Sequence, residues 1–179
     1  MNQELFDKII SGTRITKEEA LVLFKCQLYE LGKLADERKK LVHSSERVGF
    51  IYDRIINFTN ICEAECGFCA FHAKAGTIEP YELSFDEILD KVNELDLAGG
   101  TQVMLQGGLH PDYTIEYYVA LIQTVKEAFP HIILHSLSPA EIFNLSKKSN
   151  TSINDIIKKL KNAGLDSVPG ASDILVDSV

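Results

Sequence analysis

The segment NICEAECGFCAFHA, residues 60–73, places three of the chain's four cysteines within eight residues. Cys62, Cys66 and Cys69 follow the pattern C-x3-C-x2-C, with no fourth cysteine nearby. Thiolates hold iron–sulfur clusters and zinc. A four-iron cluster held by four cysteines is closed, whereas three leave one iron open to an outside ligand. Zinc needs a fourth donor, for which His72 is a candidate. Structural zinc sites, however, usually pair two C-x2-C knuckles. This chain has no second knuckle, and the x3 gap is unusual for zinc. The spacing therefore favours an iron–sulfur cluster with an open iron. A small electron-transfer protein fits poorly, because such proteins spend four cysteines per cluster and residues 70–179 would have no purpose in one.

Positioning such a loop calls for a rigid scaffold, and the flanking sequence supplies one. VGFIYDRIINFT is rich in β-branched and aromatic residues, reads as a strand, and runs straight into Cys62. SFDEILDKVNELDLAGG reads as an amphipathic helix capped by Ser84 and Glu87 and stopped at Gly99. TQVMLQGG is a short buried strand. A helix over about 114–129, the strand HIILHSL and a helix opened by Ser138 and Pro139 follow. TSINDIIKKLKNAG is a further helix, and LDSVPG a last strand and turn. Upstream, TKEEALVLFKCQLYELGKLADERKK reads as one capped helix with Cys26 buried inside it. Strand–helix alternation with short connections predicts an α/β fold of about four parallel strands with crossover helices. Residues 1–49 are expected to form an N-terminal helical segment and residues 50–179 the core.

Bulk properties narrow the class. The chain has 179 residues, 45% hydrophobic and 25% charged, and a net charge of −8. That charge argues against nucleic acid as a partner. No apolar run is long enough to span a membrane, and the first residues lack the pattern of a secretory signal. The expectation is a cytoplasmic protein, in which clustered thiols are metal ligands rather than disulfides.

C-x3-C-x2-C with an aromatic residue, Phe68, just before the last cysteine resembles the signature of the radical S-adenosylmethionine enzymes. The resemblance extends over roughly residues 30–179 through INFTNICEAECGFCAF, YELSFDEILDKV, GGTQVMLQGGLHPD, HSLSPAEI and AGLDSVPG. These segments fall in the order seen in the subgroup that serves the futalosine route to menaquinone and deazaflavin (FO) synthesis. GGTQVMLQGG is most like the cyclase of dehypoxanthine futalosine, since FO synthase halves more often carry Ala and Glu where Gly100 and Gln102 stand; the FO synthase radical half and aminofutalosine synthase are the alternatives. The resemblance implies the N-terminal part of a (β/α) TIM-type barrel. It also implies a [4Fe-4S] cluster on Cys62, Cys66 and Cys69, and S-adenosyl-L-methionine cleaved to a 5′-deoxyadenosyl radical. The implied partners are a futalosine-derived nucleoside as substrate and a low-potential donor such as flavodoxin or ferredoxin.

The same resemblance assigns Phe68, Gln106, Gly107 and Gly108 to cofactor binding, the glycines letting backbone approach a ligand closely. Candidate substrate contacts are His110, just beyond that motif, His135, at the end of the third strand, and Glu141, in SPAEI. Gly99 and Gly100 are explained by the helix end, and Ser138 with Glu141 by a capping box. Three departures stand out. Glu63 and Glu65 place carboxylates beside an anionic cluster, which would make its reduction harder. The stretch PGASDIL is one residue shorter than usual. The chain stops at Val179 where relatives continue, so a reading of another class is an incomplete fragment, or one piece of a split enzyme completed by a second chain.

Overall fold

The computed structural model describes residues 2–43, 46–64, 66–67, 69–73 and 79–170. Contacts divide the chain into two compact units, Met1–Phe50 and Ile51–Val179. In the first unit, Asn2 caps α1 (Gln3–Ser11), and Gly12 ends it in the left-handed conformation at φ 80°. Thr16 and Glu19 form the expected reciprocal capping box on α2 (Lys17–Leu23). Lys8 binds Glu19 at 2.8 Å. The single helix expected through Cys26 is instead two, with α3 spanning Leu28–Val42. The turn at Phe24–Gln27 lets α3 pack back on α1, where Leu34 and Leu5 are buried. Cys26 sits in that turn, half-buried, its Sγ donating to the Val22 carbonyl. The one helix read through TKEEALVLFKCQLYELGKLADERKK is thus two, and Phe24 and Leu28 at the break stand exposed.

The second unit is a parallel sheet with helical crossovers: β1 (Asp53–Asn57), α4 (Phe85–Leu97), β2 (Gln102–Gln106), α5 (Ile115–Ala128), β3 (Ile133–Leu134), α6 (Pro139–Ser149) and α7 (Ile153–Ala163). The strand order is β1-β2-β3, with Ile56 opposite Leu105 and Asn57 opposite Gln106. Ser84 and Glu87 cap α4, and Ser138 and Glu141 cap α6, each as a full box with the serine accepting from the backbone. Gly99, at φ 78°, takes the left-handed turn after α4. The fourth expected strand, LDSVPG, contributes a single parallel bridge from Ser167 to His135. β1 begins only at Asp53, later than the apolar run that precedes it.

Alternation along the strands sorts the two sheet faces. Ile56, Val103, Leu105 and Leu134 point into a core closed by Ile88 and Val92 of α4, Leu121 and Val125 of α5, and Ile156 and Leu160 of α7. The opposite face carries Ile55, Asn57 and Gln106, and these line a cavity. Among the described residues no helix is long and apolar enough to cross a membrane.

Candidate functional site: a three-cysteine cavity

The loop that leaves β1 is held by side chains rather than by regular structure. Thr59 Oγ1 donates to the Tyr81 carbonyl at 2.9 Å and accepts from the Ile61 amide. Asn60, buried, donates to the Glu79 carbonyl at 2.9 Å and accepts from the Tyr81 amide at 2.8 Å. Its own carbonyl takes the Ala73 amide at 2.9 Å. Asn60 thus fastens both ends of the cysteine loop to one point.

Cys62, Cys66 and Cys69 all line one cavity of about 400 Å³, together with Gln106, Gly107 and Gly108 from the end of β2. The Cys62 Sγ accepts from the amides of Ala64 at 3.4 Å and Leu109 at 3.2 Å. Two amides aimed at one sulfur suit a thiolate that serves as a ligand. The β2 end and the cysteine loop press together at Gly108. A Cβ there would collide with the Ile61 carbonyl oxygen and lie 2.6 Å from Cys62 Cβ. At Gly107 a Cβ would meet the Phe58 ring at 2.5 Å. Absent side chains at both positions are therefore required by packing. Phe68 lies outside the described residues.

Three soft donors on one short loop fit a polynuclear cluster, which takes one thiolate per iron. Among the described residues no three His, Cys, Asp or Glu side chains are already grouped to hold a metal ion; what the three cysteines share is the cavity they line.

The candidate substrate contacts separate. Glu141 lines the cavity at 4% exposure. Its Oε2 accepts from the Ser138 amide at 2.6 Å, and Oε1 has no hydrogen-bond partner. Burial pushes its carboxyl above the ordinary 4.5, against the cap bonds from Ser138 and a weaker pull from the Gly107 amide, which forms no hydrogen bond with the unpartnered oxygen. His110 does not line the cavity. Its ring is buried, stacked on Tyr113 with centroids 3.9 Å apart, and Nδ1 accepts from the Asp112 amide. Its Nε2 lies 3.5 Å from Glu82 Oε1, within ion-pair reach but without a hydrogen bond. His135 also lies away from the cavity, with Nδ1 2.7 Å from Ser167 Oγ.

One interaction on the active face escapes the sequence reading. Lys148 of α6 reaches Glu63 Oε2 at 3.0 Å and the carbonyls of His110 and Pro111 at 2.6 and 2.9 Å. It neutralises a carboxylate inside the cysteine loop and ties that loop to the β2 exit. His72, the candidate zinc donor of the sequence, lines the cavity, and neither ring nitrogen has a hydrogen-bond partner among the described residues. Leaving a buried polar group unpaired costs about 1–3 kcal/mol, so Glu141 and His72 mark places where an occupant is expected to bind.

The Glu141 shift carries a pH prediction. A carboxyl whose folded pKa is raised gives its stabilisation below the unfolded pKa and loses it as pH rises through the folded one. Glu141→Gln, which cannot ionise, is therefore expected to gain in melting temperature relative to the parent as pH rises from about 4 to about 8. A difference that is flat with pH in parallel melts would contradict the buried-carboxyl account.

Residues 56–175 match the Radical SAM superfamily. The chain belongs to that family. This radical SAM chain is 36% identical to cyclic dehypoxanthine futalosine synthase of Halalkalibacterium halodurans, over 97% of its own length and 47% of the relative's. It is 43% identical to 5-amino-6-(D-ribitylamino)uracil--L-tyrosine 4-hydroxyphenyl transferase of Methanococcoides burtonii, over 98% of its own length and 48% of the relative's. The chain thus spans about half the length of the curated relatives it matches. Among solved structures it resembles HydG, a maturase of the [FeFe]-hydrogenase, with a TM-score of 0.62 at 19% identity, covering 93% of this chain and 45% of that one. That likeness concerns the fold, a partial (β/α) barrel. Radical SAM membership implies S-adenosylmethionine and an iron–sulfur cluster, and the cysteine cavity has the donors to hold the latter.

Proposed function

We propose that Cys62, Cys66 and Cys69 hold a [4Fe-4S] cluster, and that the chain belongs to an enzyme cyclising dehypoxanthine futalosine in menaquinone synthesis. The observation that supports the cofactor reading is that all three cysteines share one cavity with the Gln106–Gly108 strand end. When bound, the cluster and S-adenosylmethionine supply a 5′-deoxyadenosyl radical that takes hydrogen from the substrate. The chain's own contribution is positional. Gly107 and Gly108 allow backbone to approach a ligand at the end of β2, and Asn60 fixes the cysteine loop. Glu141 offers a free oxygen within the cavity, and Ile55 and Phe71 add apolar surface to its lining. The expected electron donor is a low-potential flavodoxin or ferredoxin.

A second reading is transfer of a 4-hydroxyphenyl group from tyrosine, as in the methanogen relative, and the 43% identity favours it. Gly100 and Gln102, which point towards the cyclase in sequence, do not line the cavity. Gly100 has a packing reason of its own, since a Cβ there would collide with the Leu95 side chain.

The test is anaerobic reconstitution with iron and sulfide, reduction, and electron paramagnetic resonance with and without S-adenosylmethionine. A four-iron signal that changes with S-adenosylmethionine is the expected result. Release of 5′-deoxyadenosine with dehypoxanthine futalosine supports the cyclase. Release only with tyrosine and 5-amino-6-(D-ribitylamino)uracil supports the transferase. Retained zinc with no cluster signal would sink both readings.

A further inference from the structure

We propose that His72 donates a ring N–H hydrogen bond to a sulfur of the cluster on Cys62, Cys66 and Cys69, and thereby raises its reduction potential. The proposal rests on the iron–sulfur reading of that loop. His72 stands three residues beyond Cys69 on the same loop and lines the same cavity. Its side chain is 7% exposed, and neither nitrogen has a hydrogen-bond partner among the described residues. The adjoining backbone is fixed by the Ala73 amide on the Asn60 carbonyl.

A neutral imidazole always carries one N–H. Burying that donor without an acceptor forfeits its hydration and returns nothing. Of the polar side chains that line the same cavity, Thr59 and Asn60 are engaged with residues 79–81 and Ser138 with the start of α6, and the free Oε1 of Glu141 makes no hydrogen bond with the imidazole. Among the described residues no side chain accepts from it, which leaves the donor free for a group bound in the cavity. Thiolate-held clusters present sulfur acceptors, and hydrogen bonds to those sulfurs stabilise the more negative, reduced state.

The surrounding charge gives the bond a purpose. Acidic residues in this loop oppose reduction, and Lys148 already offsets Glu63. A donor from His72 acts in the same direction, on the sulfur itself.

The test is a redox titration of the reconstituted full chain, followed by electron paramagnetic resonance, for the parent, His72→Gln, His72→Leu and His72→Met. Iron and sulfide contents are measured first. His72→Leu and His72→Met, which lack a donor, are expected to disfavour reduction about tenfold, a shift of 59 mV for one electron. His72→Gln retains an N–H and is expected to recover most of that shift. One exchangeable-proton coupling to the reduced cluster, beyond those of the Ala64 and Leu109 amides on Cys62, should be present in the parent and lost in the apolar variants. If His72→Leu does not load, the comparison of His72→Met with His72→Gln decides. Equal potentials at equal loading would overturn the proposal and leave the cluster reading standing. A shift seen only with S-adenosylmethionine present would assign His72 to that cofactor and also overturn it. A parent chain that binds no cluster would remove both.

Discussion

Cys66→Ala is expected to leave the chain folded but unable to hold a four-iron cluster. Cys66 is exposed at the cavity and contributes nothing to the core. Truncating it should therefore change stability by no more than about 0.5 kcal/mol before reconstitution. Its sulfur is nonetheless one of three donors, and a cluster of four irons left with two protein thiolates has two irons without an anchor. Iron and sulfide content, together with visible absorption after anaerobic reconstitution, should fall to background. Any signal that requires S-adenosylmethionine should vanish with them. Cys26→Ala is the control. That thiol sits in a turn of the first unit, engaged with the Val22 carbonyl, and is not among the cavity's lining residues. Its loss should leave cluster content unchanged. Full loading of Cys66→Ala would exclude the three-cysteine assignment outright.

What the sequence carried, and what it did not, follows from how local each signal is. The starts of α2, α4 and α6 were legible because a capping box is written within four residues, and each is present with both of its bonds. The cysteine motif was legible for the same reason. Thr59 and Asn60 were not, because their partners Glu79 and Tyr81 lie 19 to 22 residues away and nothing in NFTN announces them. His110 was placed on the active face by its position after β2. Stacking on Tyr113, itself 3.7 Å from the ring of Tyr117, holds the imidazole against the start of α5 instead. His135 follows β3 as expected, but Ser167 occupies its Nδ1. The single-helix reading failed at Cys26 because a seven-residue helix and a fifteen-residue helix, parted by a short turn, read in sequence as one.

Gly108→Ala should be among the most damaging single-methyl changes in the chain, and the reason is what surrounds the missing Cβ. The added carbon would collide with the Ile61 carbonyl oxygen and lie 2.6 Å from Cys62 Cβ and 2.8 Å from the Ile61 carbonyl carbon. Backbone atoms and a ligating residue cannot rotate aside as the end of a flexible side chain would. The β2 exit and the cysteine loop must move apart. That separation also stretches the Glu63 amide bond to the Leu109 carbonyl, 2.9 Å, and the Leu109 amide bond to Cys62 Sγ, 3.2 Å. Overpacking against such neighbours falls at the upper end of its usual range, about 3 kcal/mol. For a chain of this length that lowers Tm by roughly 6–12 °C. Because the displaced atom group includes Cys62, cluster content should drop along with stability. Gly67→Ala separates this cause from a general sensitivity of the loop. It lies between Cys66 and Cys69, and a Cβ there meets nothing within 4 Å, so both Tm and cluster loading should stay near the parent's. Equal tolerance at the two glycines would mean that the close approach at Gly108 is not what sets the position of Cys62.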